Sequence, residues 1–331
     1  MRQKLKKSLS MAKQSMEQLH CLINCIVHII APRVDFRPFL FGSWDVPLRY
    51  TADGYITYFS YSISSQKYFD DYQNLYGDGI DVWYDQRKSK QENLQLLKSR
   101  LHNRDQYQFN LAQVDLYHLF YEKGNYHRKH QPHFLITNFH TPDGWRITDP
   151  YYLWEGAIPE AEFALAFCDN SFGGGFTVDI SHIKDAHRKA VAEQFEANFR
   201  LMEYPLVNAF KNYLQELIED KKPFEMGSVE SVLSQFTVLY KTKTSYAYAY
   251  LFFAEQLHQP VPLQTERVDK LIKNWGKVTF LTMKSCMHKQ KDQLISLFKE
   301  VDSLYQQEKE IKEGLGAIYD CWKNKCYFLE V

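Results

Sequence analysis

The chain has 331 residues, 45% of them hydrophobic and 24% charged, with 40 basic and 40 acidic side chains. That balance fits a globular protein with a real core, of two domains or one large one, and its zero net charge removes any global electrostatic case for nucleic acid. Six cysteines without a CxxC pair make neither a disulfide framework nor a zinc ribbon, and no run approaches the roughly 20 apolar residues of a membrane span.

The basic start, "MRQKLKKSLSMAKQ", precedes an apolar run and superficially resembles a secretory signal. Glu17, His20, Asn24 and His28 break that pattern, so the expectation is a cytoplasmic protein with reduced thiols. The run itself, "LHCLINCIVHIIAP" at 19–32, is predicted to be a helix. Leu19, Leu22, Ile23, Ile26 and Ile30 share its apolar face, and Cys21, Asn24, Cys25 and His28 share another. A packed helix that contains cysteine, a metal site and a helix that presents a nucleophile are the three readings.

Short aromatic segments follow, as in "FRPFLFGSWDVPLRYTADGYITYFSYS", and then "YDQRKSKQENLQLLKSRLHNRD", which reads as an exposed basic helix. "YQFNLAQVDLYHLFY", "HFLITNFH" and "WRITDPYYLW" are strand candidates. "SFGGGF" at 171–176 has neither the dinucleotide nor the phosphate-loop spacing and reads as a flexible turn near a domain junction. From about 182 onward the period is helical. The fold class expected is α+β in residues 1–181, followed by a mainly helical domain in residues 182–331.

The "HFLITNFHTPDGWRITD" stretch carries the chemistry. "TPDG" reverses the chain, which brings Asp149 onto the strand beside His133. A carboxylate beside an imidazole fixes its tautomer and stabilises its cation. An imidazolium can in turn lower a thiol pKa from about 8.5 into the ~3.5–7.5 range. Cys21, His133 and Asp149 lie in the papain-like chain order, and a thiol that opens a helix gains from the positive end of the dipole. The bland readings are a packed Cys21, a packed Cys25 and a turn-forming Asp149 before Pro150. His28 lies two turns from Cys21, too far to be its base, and is a pocket-lining candidate. Three ligands on one unbroken helix splay and no fourth presents itself, so no metal is expected.

"LHCLINCIVHIIA", "FGSWD", "VDLYHLFYEKGNYHRKHQPHFLITNF" and "ITDP" resemble the N-terminal region of the butirosin-biosynthesis acyltransferase family. The resemblance implies a papain-like domain, with a helical domain over its cleft, that moves an acyl group from an acyl carrier protein thioester to a small-molecule amine. It implies Cys21 as the acylated thiol, His133 as base and acid, and Asp149 as the orienting carboxylate. It places Asp115 and Tyr117 along the approach and, with the "FGSWD" segment, Trp44 among the substrate-binding candidates. Papain-type enzymes carry an oxyanion-hole Gln six residues before the Cys; this chain has Ser15 there, flanked by Gln14 and Gln18. No bound cofactor is expected, the phosphopantetheine arm arriving with the carrier. The alternatives are a cysteine peptidase or amidase with the same three residues, or a non-catalytic binding module.

Overall fold

The computed structural model describes residues 18–50, 56–57, 66–221, 226–260 and 262–324. The chain divides into two compact units. The first takes the residues up to Phe36 and then Tyr72–Ala186; the second takes Arg37–Asp71 and the chain from His187 onward. The segment 37–71, which the sequence groups with the first 181 residues, therefore belongs to the second unit.

In chain order, α1 (Cys21–Ile30) comes first, then a 3₁₀ turn (Arg37–Gly42), the two-stranded ribbon β1 (Arg49–Tyr50) and β2 (Ile56–Thr57), and α2 (Gln66–Tyr76). The chain re-enters the first unit within α2, at Tyr72. There follow β3 (Ile80–Val82), α3 (Lys90–His102), β4 (Gln108–Asp115), β5 (Pro132–Thr141), β6 (Gly144–Asp149), β7 (Trp154–Ile158), α4 (Glu160–Asp169) and β8 (Gly175–Asp179). The six longer strands make one antiparallel sheet in the order β3-β8-β4-β5-β6-β7.

Two residues, Pro142 and Asp143, turn β5 into β6, with Thr141 paired to Gly144. Gly144 sits at φ 144°, and a Cβ there would lie 2.3 Å from the Ile158 carbonyl of β7, so the "TPDG" turn requires its glycine. One face of the sheet packs Ala112, Val114, Leu135 and Ile147 under Leu94, Leu97 and Leu101 of α3 and Phe163 and Phe167 of α4. The basic helix expected to be exposed thus has a core side. Its start is fixed by a capping box between Ser89 and Glu92.

"SFGGGF" starts as a bend at 171–172 and runs into a strand. Gly175 opens β8, which inserts between β3 and β4, and a Cβ at Gly175 would lie 1.9 Å from the Leu111 carbonyl. Gly175 lets the strand approach its neighbour closely, which is the other use of a residue without a side chain.

The second unit is helical beyond its ribbon: α5 (Arg188–Asn198), α6 (Pro205–Ile218), α7 (Met226–Lys241), α8 (Ser245–Leu257), α9 (Pro262–Met287) and α10 (Lys291–Asn324). At its centre Asp45 Oδ1 and Oδ2 each accept a lysine ammonium at 2.6 Å, from Lys243 and Lys312 respectively. Lys243 also reaches Glu308 Oε1 at 2.6 Å, and Tyr246 donates to the same oxygen at 2.9 Å. Lys312 donates in addition to the carbonyls of Arg200 and Glu203. Among the described residues no helix is long and apolar enough to cross a membrane.

Candidate active site

Eight of the ten residues of α1 are buried, all but Cys21 and His28. The helix is central to its unit and packs against β5, where Cys25 Sγ donates to the Phe134 carbonyl at 3.5 Å. Burial pushes the Cys25 thiol well above its ordinary range, so it is a packing residue. Cys21 is half-buried at the first helical position. What sets that start is Asn24, fully buried, whose Oδ1 accepts the backbone N–H of Leu19 at 3.2 Å and of His20 at 3.1 Å. A polar residue inside the helix thus ties down the segment before it.

His133 is the second residue of β5 and Asp149 the last of β6. The pairing of Ile136 with Thr148, past an irregularity between Thr137 and Phe139, puts Asp149 opposite Leu135, two residues along β5 from His133 and on the same face, so the two are diagonal neighbours. His133 Nε2 donates to Asp149 Oδ2 at 2.8 Å, with the histidine 3% exposed and the aspartate 0%. Every acceptor position of this carboxylate has a use. Oδ2 also accepts from the Tyr121 hydroxyl at 2.8 Å, and Oδ1 accepts the N–H of Tyr151 at 3.1 Å and of Tyr152 at 3.2 Å. Asp149 is therefore both the turn former and the partner of the histidine.

Cys21 lies near enough to His133 to act on it electrostatically, so the three residues form one interacting group. Burial pushes the imidazole pKa down, but the Asp149 carboxylate and Cys21 outweigh it and hold the value up to about 10. His20 goes the other way, with Nδ1 sealed from solvent and the His133 charge nearby; burial first and that charge second lower it to about 3. One histidine is thus kept charged and its neighbour neutral. Tyr151 and Tyr152 flank the His133 ring at centroid distances of 5.6 and 5.2 Å. Tyr121 is itself fixed by stacking on Trp154 at 4.1 Å.

The other sequence candidates are placed as follows. Asp115 Oδ1 accepts the N–H of Tyr117 and of Gln131, each at 3.0 Å, and Oδ2 meets His130 Nδ1 at 2.7 Å. Burial raises the Asp115 carboxyl, but these bonds win and leave it below its ordinary value. Its oxygens are spent on closing the 116–131 loop, over which Tyr117 and His130 stack at 4.3 Å. His28 is exposed in the last turn of α1. Gln18 is half-buried, three residues before Cys21, while Gln14 and Ser15 lie outside the described residues. Trp44 is a core residue of the second unit, 1% exposed, stacked on Phe41 and Tyr246 with Nε1 donating to the Asn198 carbonyl at 3.0 Å. Sequence reasoning gave no role to Asn24 or Tyr121. The first was visible as an amide on the Cys21 stripe; nothing local marks the second, 28 residues from its partner.

Residues 16–183 match the DUF6005 N-terminal domain and residues 189–328 the DUF6005 C-terminal domain. The chain belongs to the DUF6005 family. It is also similar to petrobactin synthase of Bacillus anthracis, 29% identical over 312 residues that cover 92% of this chain and 95% of that protein. The likeness to butirosin acyltransferases rests on the short motifs alone. For a DUF6005 protein, the Cys21–His133–Asp149 group gives the N-terminal domain a thiol near an imidazole that is bonded to a saturated carboxylate.

Proposed function

We propose that this protein is a biosynthetic acyltransferase whose first unit is papain-like and works through an acyl-Cys21 intermediate. The observation that carries the reading is the buried His133 imidazole, held by its Nε2 on the Asp149 carboxylate and acted on by Cys21 nearby. Similarity to a synthase of a natural product over nearly the whole chain supports a biosynthetic rather than a degradative role.

In the proposed cycle the Cys21 thiolate attacks the carbonyl of an acyl thioester on a carrier protein. The S–C bond to Cys21 forms, the pantetheine S–C bond breaks, and the departing thiolate takes the proton of His133. A small amine then attacks the acyl-Cys21 carbonyl and gives a proton to His133, and the Cys21 thiolate leaves. Asp149 holds the ring throughout and stays ionised. The first-turn amides of α1, which have no partner within the helix, face the developing oxyanion, with Gln18 as the second donor. Arg128 and Lys129, both exposed in the 116–131 loop that precedes His133, are the proposed contact for an acidic carrier protein.

Intact-mass spectrometry after incubation with a panel of acyl-carrier thioesters tests the reading. A mass gain of one acyl group, absent in Cys21→Ala and discharged by an amine, supports it. Discharge by water alone at the same rate replaces the transferase with a hydrolase, and no gain with any thioester removes both.

A further inference from the structure

The first unit also holds a polar cavity away from the Cys21 group. A pocket of about 230 Å³ is lined by Ser99, Arg100, Asn103, Arg104, Gln108 and Asn110, where the last turn of α3 leads into β4. All six are polar, and two carry guanidinium groups. Arg104 Nη1 is sealed from solvent and meets no acceptor, and burial alone pushes this guanidinium below its ordinary value. Arg100 reaches only the neutral Thr177 hydroxyl, at a long 3.4 Å. The nearby Asp179 does not serve them, because its carboxylate accepts from Gln108 Nε2 at 3.1 Å and from Ser181 Oγ at 2.6 Å.

Arginine near a helix C-terminus commonly bonds the last carbonyls, and that is the ordinary explanation for such a pair. It does not account for two guanidinium groups that line one polar pocket while neither meets a carboxylate among the described residues, an arrangement that favours an anionic partner. We propose that this pocket binds a phosphate group, held in the fork of Arg100 and Arg104. Guanidinium groups match tetrahedral oxyanions in charge and in paired donor geometry. The volume lies below the roughly 300–1,000 Å³ of drug-sized sites, which suits one oxyanion with a small body. The pocket is distinct from the Cys21 group: Asn110 pairs with Thr137 and Val114 with His133, four residues and about 13 Å apart along the strand. It stands whether or not the acyl-transfer reading does.

Titration calorimetry and thermal unfolding of the full chain test it, with inorganic phosphate, sulfate and glycerol 3-phosphate as probes and chloride at matched ionic strength as the control. The expected result is saturable binding of phosphate and sulfate with a rise in Tm, and a Kd weakened about tenfold or more in Arg104→Gln and in Arg100→Gln. Tighter binding of glycerol 3-phosphate identifies a phosphate ester as the occupant, and equal binding identifies the free oxyanion. Arg104→Lys, which keeps the charge but loses the fork, gives an intermediate Kd and serves if the Gln variants do not fold. Failure of phosphate to exceed chloride, or unchanged phosphate binding in the folded Arg104 variants, overturns the proposal and leaves the pocket to water.

Discussion

Both units bury charge, and they do it differently. In the second unit two lysines and two carboxylates form a net-neutral network, closed by backbone carbonyls and a tyrosine hydroxyl, with Lys243, Lys312 and Glu308 all at or below 1% exposure. In the first unit one imidazole and one carboxylate are equally enclosed, but the group includes Cys21, which is half-buried rather than sealed. Burial and charge are common to both and so do not mark a site. What separates them is a reactive atom at the edge of the enclosed polar group, reachable from outside.

The largest test of that contrast is catalytic. Replacing Cys21 with Ala should abolish acyl-enzyme formation, and His133→Ala should lower its rate by about 10³–10⁴-fold, read by quenched-flow mass spectrometry. Asp149→Asn should cost less, because an amide still orients the ring. The matching substitution in the other unit is Lys312→Met, which leaves Asp45 with one lysine. Breaking a buried pair costs about 3–5 kcal/mol, so the denaturation midpoint should fall steeply while the folded fraction still acylates normally. Loss of acylation in folded Lys312→Met would erase the distinction drawn between the two networks.

A smaller effect separates the two histidines. His133, raised to about 10, contributes stability that is complete below the ordinary value of 6.5 and is lost as pH rises toward 10. His20, lowered to about 3, contributes stability that is complete above 6.5 and is lost as pH falls toward 3. Each arm amounts to something on the order of a few kcal/mol. Stability measured by urea midpoints should therefore peak near neutrality, with the alkaline arm flattened in His133→Gln. Thiol labelling gives a further reading: iodoacetamide at neutral pH should modify Cys21 well before Cys25, by peptide mapping. The smallest effect is that of Tyr121→Phe, which removes one donor from Asp149 and should cost about 1 kcal/mol with a drop in rate of less than about tenfold.

The sequence showed the hairpin, because "TPDG" between two alternating runs fixes both the reversal and the neighbourhood of His133 and Asp149. It showed the helical back half through its period, and the start of α1 through the apolar run. It hid β8, since a strand that opens on glycines lacks the branched residues that announce strands, and it hid the core side of α3 behind the lysines and arginines on its other faces. Nothing local sets Lys243 and Lys312 apart, because a buried lysine differs from an exposed one only in its distant partners. The same is true of the site: Asp149 reaches Tyr121 and His133 through tertiary pairing that no local pattern encodes.

The excursion of residues 37–71 into the second unit has a consequence for how such proteins can be cut and recombined. The two matched family segments meet between residues 183 and 189, which invites an exchange of modules at that seam. A fragment ending at Ala186 would carry Asp45 away from both of its lysines and Trp44 away from Tyr246. The other fragment would keep two buried ammonium groups with one carboxylate between them. The seam between the matched segments is single and the physical one is triple, so neither half is a transferable cassette.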